Sequence, residues 1–219
     1  MKILCFGYRE WALKIYRQLA EFYPDKSFIV ISGNKITALT QITEAIQPDI
    51  VLFYGWSDYI PESVYNKWEC LMLHPSCLPK YRGGSPIQNQ IQDGVIKSCI
   101  SIFKISKGID AGKLYGQSPL SLRGDLDEIF ERMIDIGFHL TCNILENNYT
   151  ITEQDDSKAT YCERRKPSES EVTINDLQHM SAQQLYDKVR MLNSDTYPRV
   201  FIKMHCGNKV FFNKVSLQP

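Results

Sequence analysis

The 219-residue sequence has no apolar run long enough to cross a bilayer, no surplus of charge of either sign, and no C-x-x-C pair. Each absence excludes something. A membrane helix needs about eighteen or more apolar residues in a row, so no membrane span or membrane partner is expected. Lys and Arg total 25 and so do Asp and Glu. Without a basic surplus, a nucleic-acid partner is disfavoured. The opening MKILCFGYRE returns to charge after ILCFG. That run is too short for a signal-peptide core and no small-residue cleavage site follows, so a cytoplasmic location is expected. The 7 cysteines are odd in number and scattered. They read as reduced thiols acting as small buried hydrophobes. The turn Gly7-Tyr8-Arg9-Glu10-Trp11 lacks the G-x-G-x-x-G that cradles a dinucleotide, so no NAD is expected, and no metal site is expected either.

What is present is an ordinary globular composition, 43% hydrophobic and 23% charged, enough for one sizeable core. Apolar runs at 2–6, 28–32, 50–54 and 70–74 read as buried strands. Between the first two lies a helical pattern with Trp11, Ile15, Leu19 and Phe22 on one face, closed by Pro24-Asp25. Short helices are expected at 36–46 and 61–67, a helix at 87–94, extended segments at 98–105 and 113–122, and a long helix from 125 to 147. Strand–helix alternation predicts an α/β fold with a doubly wound, mainly parallel Rossmann-like sheet. After 152 the texture changes. Residues 153–171 read as an exposed charged connection, followed by a helix at 180–192 and a hairpin around Cys206-Gly207-Asn208. The expected division is a core over 1–152 and an extension over 153–219.

In an open α/β sheet, ligands sit beyond the carboxyl ends of the strands. That rule selects His74 at the end of the 70–73 strand, Trp56 and Ser57 after the 50–54 strand, and Asp110 after the 98–105 strand. A His beside a carboxylate is a standard general acid–base arrangement. Alone, each signal is weak, because a loop His is most often just hydrogen-bonded and an Asp before Ala-Gly most often forms a turn. Shared placement on one rim strengthens both.

The stretch HPSCLPKYRGGSP (74–86) resembles the H-P-S-L-L-P-x-Y-R-G-x-x-P segment of formyltransferases that use N10-formyltetrahydrofolate, and GIDAGKL (108–114) resembles their Gly-x-Asp-x-Gly turn. GWSDYIP (55–61) and RRKPSES (164–170) are similar to segments of the branch that formylates nucleotide-linked amino sugars. The resemblance spans about residues 1–170. It implies N10-formyltetrahydrofolate as cofactor, His74 as base and proton carrier, and Asp110 as its partner. It also implies that backbone around Gly108, Ile109 and Asp110 faces the pterin. Trp56 and Ser57 are candidates for the same pocket, although a packing role for Trp56 weighs equally. For the acceptor, the candidates are Ser76, Lys80, Tyr81, Arg82, Ser85, Gln88 and Asn89, with Arg9, Arg164 and Arg165 as candidate phosphate contacts. Surface or linker roles weigh against Lys80 and the arginines, and backbone roles against the Gly83-Gly84 pair.

The chain departs from the family at one catalytic position. Met72 stands where the resemblance expects an Asn, two residues before His74 and on the same strand face. A thioether cannot donate a hydrogen bond to the formyl oxygen. Asn89, Gln88 or an ordered water could replace that donor, or the chain could bind folate and nucleotide sugar without turnover. Among acceptors, methionyl-tRNA and glycinamide ribonucleotide compete with a nucleotide-linked 4-amino-4,6-dideoxy sugar. The short extension and balanced charge favour the sugar, in particular a UDP-sugar of a pseudaminic-acid-type pathway. The apolar strands of the terminal hairpin are a candidate homodimer contact.

Overall fold

Apolar strands alternating with amphipathic helices build one sheet with helices on both faces. The computed structural model describes residues 1–218. Strands β1 (Lys2–Gly7), β2 (Ser27–Ser32), β3 (Ile50–Tyr54) and β4 (Glu69–His74) run parallel, connected through α1 (Glu10–Phe22), α2 (Leu39–Ile46) and α3 (Glu62–Tyr65). Next come the two-residue strand β5 (Arg82–Gly83), α4 (Pro86–Gln92), β6 (Lys97–Lys104) and β7 (Leu114–Ser121). The central sheet has the order β2-β1-β3-β4-β6-β7. The last two strands are antiparallel to their neighbours. The long helix α5 (Leu126–Leu145) precedes a second two-residue strand, β8 (Tyr161–Cys162). Helices α6 (Ile174–His179) and α7 (Ala182–Arg190) and the hairpin β9 (Phe201–Lys203)–β10 (Lys209–Phe211) complete the chain. The expected mainly parallel, doubly wound sheet is therefore what forms.

Strand alternation splits the core in two. On β3, Ile50, Leu52 and Tyr54 pack with α1 and α5, whereas Val51 and Phe53 face the opposite side with Trp56 and Trp68. On α1 the buried face is Ala12, Ile15, Tyr16 and Leu19, while Phe22 stays 59% exposed. The face is thus rotated from the Trp11–Phe22 stripe read in the sequence. Tyr16 can enter the core because its hydroxyl is satisfied there: it donates to the Phe6 carbonyl at 2.9 Å and accepts the Tyr54 N–H at 2.7 Å.

Two expectations are corrected. Cys77 and Cys99 are not free thiols; they form a disulfide with Cα atoms 4.7 Å apart. The antiparallel pairing of β4 with β6 sets His74 opposite Ser101, so the chain leaving His74 runs beside residues just before Ser101. Linear cysteine spacing does not reveal that neighbourhood. The other cysteines are free. The segment 153–171 is indeed mostly exposed, but it is more than a connection. Thr152 bridges Leu114, and β8 pairs with β5, strapping the segment across the loop that follows His74. Among the described residues, no helix is long and apolar enough to cross a membrane.

Candidate active site

β4 delivers Met72 and His74 to one face of the sheet, next to Phe53 of β3. His74 is 5% exposed. Its Nε2 lies 2.8 Å from the Tyr81 carbonyl oxygen, and its Nδ1 lies 3.4 Å from Asp110 Oδ2. A carbonyl only accepts, so Nε2 carries the proton of the neutral ring. Nδ1 is then the nitrogen free to take up a proton, directly beside a carboxylate.

Asp110 reaches that place by a route the strand-end rule does not describe. β6 is antiparallel to β4, with Lys104 opposite Leu71, so its carboxyl end lies at the far end of β4 from His74. The loop from Ile105 to Lys113 folds back along the sheet face to bring the carboxylate to the imidazole. Gly112 makes the fold-back possible, since a Cβ there would sit 1.7 Å from the Lys104 carbonyl oxygen. Asp110 itself adopts a left-handed φ of 48°. Its Oδ2 also accepts the Gly83 N–H at 2.8 Å.

The loop after His74 is held from behind. Ser76 Oγ donates to the Lys80 carbonyl at 2.6 Å, and Ser101 Oγ donates to the Ser76 carbonyl at 2.6 Å. The Tyr81 N–H donates to Thr160 Oγ1, the Arg82 N–H to the Thr160 carbonyl, and the Gly84 N–H to the Cys162 carbonyl. Gly83 has φ 104°, and a Cβ there would meet the Cys162 carbonyl oxygen at 2.5 Å. Only glycine lets β5 approach β8 this closely.

A cavity of about 630 Å³ opens over the His74–Asp110 pair. Its wall includes Trp56, Ser57, Met72, Ile109, Ser85 and Gln88. Arg9, Arg164 and Arg165 line it as well, together with Tyr197. Trp56 does both things weighed for it. Its ring packs on Phe6 and Phe53, and it also forms cavity wall, with its indole N–H lacking a partner. Tyr8 Oη and Ser57 Oγ share a 2.6 Å hydrogen bond at the rim. Arg9 lies over the rings of Tyr8 and Tyr197 at 4.9 and 5.1 Å. The Arg165 N–H donates to Ser85 Oγ at 3.1 Å and its Nη2 donates to the Glu169 carbonyl, while its buried Nε has no partner. Burial holds the Arg165 guanidinium below its ordinary pKa, and the nearby Glu169 charge offsets only part of that.

Several residues singled out from the sequence lie elsewhere. Ser76, Lys80, Tyr81, Arg82, Asn89 and Gly108 do not line the cavity. Ser76 is buried in the loop hydrogen bonds described above, and Lys80 is exposed. Tyr81 contributes its carbonyl to His74, while its hydroxyl donates to Asp93. Arg82 is 1% exposed, its guanidinium engaged by Gln154 and Asp156. Asn89 spends its amide on the carbonyls of Gly84, Ser85 and Glu163. It therefore does not replace the donor missing at Met72. Gln88 lines the cavity, yet its amide nitrogen is directed to the Met191 carbonyl at 3.3 Å. Sequence reasoning missed Gln154, a lone Gln in a charged run with no motif around it. Among the described residues, no cluster of three or more His, Cys, Asp or Glu could hold a metal.

Comparison with known proteins places the chain. The formyl transferase family model matches residues 22–133, and a model of the methionyl-tRNA formyltransferase C-terminal domain matches 167–218. The methionyl-tRNA formyltransferase of Campylobacter curvus is 31% identical over 162 residues, 73% of this chain and 52% of that protein. The chain thus spans about half the length of the curated relatives it matches. A solved methionyl-tRNA formyltransferase from Clostridium thermocellum superposes with a TM-score of 0.90 at 30% identity, covering 100% of this chain and 94% of that one. A sugar N-formyltransferase from a Shewanella species shares the fold, with a TM-score of 0.78 at 15% identity over 100% of this chain and 99% of that one.

Proposed function

We propose, from the premise that the chain belongs to the formyltransferase family, that it transfers a formyl group from N10-formyltetrahydrofolate to an amine, with His74 and Asp110 handling the proton. The observation that carries this is the pair itself: Nδ1 of His74 is left free by the Tyr81 carbonyl and faces Asp110 at 3.4 Å inside the cavity. The donor supplies an activated formyl carbon. The residues present suit such a ligand. The cavity has the size of a small-molecule site, and Trp56, Met72 and Ile109 give it apolar wall. His74 Nδ1 accepts the proton lost by the attacking amine. The resulting imidazolium is held between the Asp110 carboxylate and the Tyr81 carbonyl, and it returns the proton to the departing nitrogen. Asp110 orients the ring and stabilises its charge, as the Gly83 N–H in turn orients Asp110.

For the acceptor, we favour a nucleotide-linked amino sugar. The arginines at the cavity support this, because Arg165 has a buried, unpartnered Nε and Arg9 is stacked between tyrosines without a carboxylate. Such cations suit a diphosphate next to a small amine. The finer reading is a UDP-linked 4-amino-4,6-dideoxy sugar. A second reading, methionyl-tRNA, is favoured by the match of 167–218 to the methionyl-tRNA formyltransferase C-terminal domain and by the likeness to the Clostridium thermocellum enzyme. One experiment separates them. The protein is mixed with N10-formyltetrahydrofolate and either a panel of UDP- and TDP-amino sugars or methionyl-tRNA, and the mass gain of a formyl group is sought. A gain on one sugar supports the first reading; a gain on methionyl-tRNA alone replaces it. No gain on any amine, with binding retained, overturns transfer and leaves a binding protein.

A further inference from the structure

The His74–Asp110 contact joins the carboxyl end of β4 to the loop after β6, and Asp110 sits there in a left-handed conformation with φ 48°, which few residue types adopt. Besides the Gly83 N–H bond to Asp110, a group outside both segments holds them in register. Gln154 is placed to do so. Its Nε2 donates to the Asp110 carbonyl at 2.8 Å and to the Gly112 carbonyl at 2.7 Å, stapling both ends of the turn that carries the carboxylate. Its Oε1 accepts from Arg82 Nε at 3.2 Å and Nη2 at 2.8 Å. Carbonyls only accept and a guanidinium only donates, so this orientation of the amide is the one that satisfies all its partners.

Arg82 is fixed in turn by Asp156 at 2.7 Å and by Tyr161 Oη at 3.2 Å. Its neighbours supply the other two contacts of the site. The preceding Tyr81 carbonyl receives His74 Nε2, and the following Gly83 N–H binds Asp110 Oδ2. One amide therefore ties the segment that orients both His74 and the carboxylate to the turn that presents the carboxylate. We propose that Gln154 is a positioning residue, which sets the Asp110 carboxylate against His74 through the turn it staples and the Arg82 guanidinium it holds. Its importance for transfer rests on the reading above, but the positioning itself does not.

The test is spectroscopic and uses ligand-free protein, so it is decided whether or not formyl transfer is found. An N–H bonded to a carboxylate resonates downfield, and the Gly83 amide proton reports the Gly83–Asp110 bond directly. Asp110→Ala gives the position of that resonance with no acceptor. Gln154→Glu keeps an acceptor for Arg82 but turns an oxygen toward the Asp110 and Gly112 carbonyls. Gln154→Met keeps the length and loses both sets of bonds. Gly83 is expected to lose its downfield shift and move toward the Asp110→Ala position in Gln154→Glu, and also in Gln154→Met. A purely structural role would lower the urea midpoint and leave the Gly83 resonance of the folded protein unmoved. A Gly83 resonance at the wild-type position in either folded variant overturns the proposal.

Discussion

Asp110→Asn isolates the charge of the carboxylate from its shape. Asn Oδ1 can take the place of Asp110 Oδ2 and still accept the Gly83 N–H, so the loop geometry is kept. What disappears is the negative charge 3.4 Å from His74 Nδ1, between side chains only 6% and 14% exposed. At an effective dielectric of about 20, a full imidazolium–carboxylate pair at that distance is worth about 5 kcal/mol. That is a ceiling of roughly three and a half decades in rate, at about 1.4 kcal/mol per decade. The Asn dipole and entering water recover part of it, which leaves an expected fall in kcat of about 10²- to 10³-fold. KM should change by only a few-fold, because the carboxylate acts on a charge that forms during transfer. The assay is formyl transfer from N10-formyltetrahydrofolate to whichever acceptor the panel identifies, with circular dichroism confirming the fold. A loss in kcat below about five-fold would refute the assignment of Asp110 as the group that stabilises the imidazolium. A raised KM at unchanged kcat would instead make it a binding residue.

Three further outcomes follow from the same contacts. Arg165→Ala should raise KM for an anionic acceptor about ten-fold or more with little change in kcat, because the buried Nε and its charge would be lost; steady-state kinetics decides, and an unchanged KM removes Arg165 from the acceptor site. Gly83→Ala should destabilise the protein by about 1–3 kcal/mol, since φ 104° and a Cβ 2.5 Å from the Cys162 carbonyl force β5 from β8; a urea midpoint equal to wild type would contradict the close approach. Tyr16→Phe should cost about 1–3 kcal/mol by leaving the buried Tyr54 N–H without its hydroxyl acceptor, again read from urea denaturation.

The architecture was legible because its signals are local. Short apolar runs such as IVLFY and the long periodic segment of α5 carry their own structure, and they became β3 and α5. The His74–Asp110 neighbourhood was also reached from sequence, but for a reason the fold does not use. The strand-end rule assumes a parallel strand, and β6 runs the other way. The contact comes from a loop folding back, a long-range event with no periodic signature. The same gap explains Arg82. Its place in a motif rich in polar residues suggested a ligand contact, yet burial at 1% exposure with Gln154 and Asp156 makes it an anchor. Gln154 could not be seen because its importance lies wholly in partners 42 to 72 residues away. The Cys77–Cys99 bond was hidden likewise, since it depends on which strand pairs with β4.

Met72 poses the sharpest remaining problem of mechanism, and the structure narrows it. When His74 Nδ1 takes a proton, that N–H faces Asp110, while Nε2–H is already given to the Tyr81 carbonyl. The imidazolium therefore has no N–H left for an oxyanion. Asn89 is committed to three carbonyls, and one N–H of the Gln88 amide is directed to Met191. Met72 itself is partly buried and packs against both the cluster that holds Phe53 and Trp56 and the one that holds Leu78 and Phe103. Met72→Asn would set an amide on the face of β4 that carries His74, two residues along the strand. Removing an oxyanion donor elsewhere costs about 10²- to 10³-fold in kcat. Supplying one here should raise kcat at least ten-fold if none is present. The same substitution places an amide in an apolar cluster, so stability should fall by about 1–3 kcal/mol, measured in urea. The two effects have opposite signs and separate readouts. A destabilised variant with faster transfer would identify the missing donor as the limit on turnover. A destabilised variant with unchanged kcat would mean that bound water or the ligand's own groups already stabilise the oxyanion, and the reasoning from Met72 would fail.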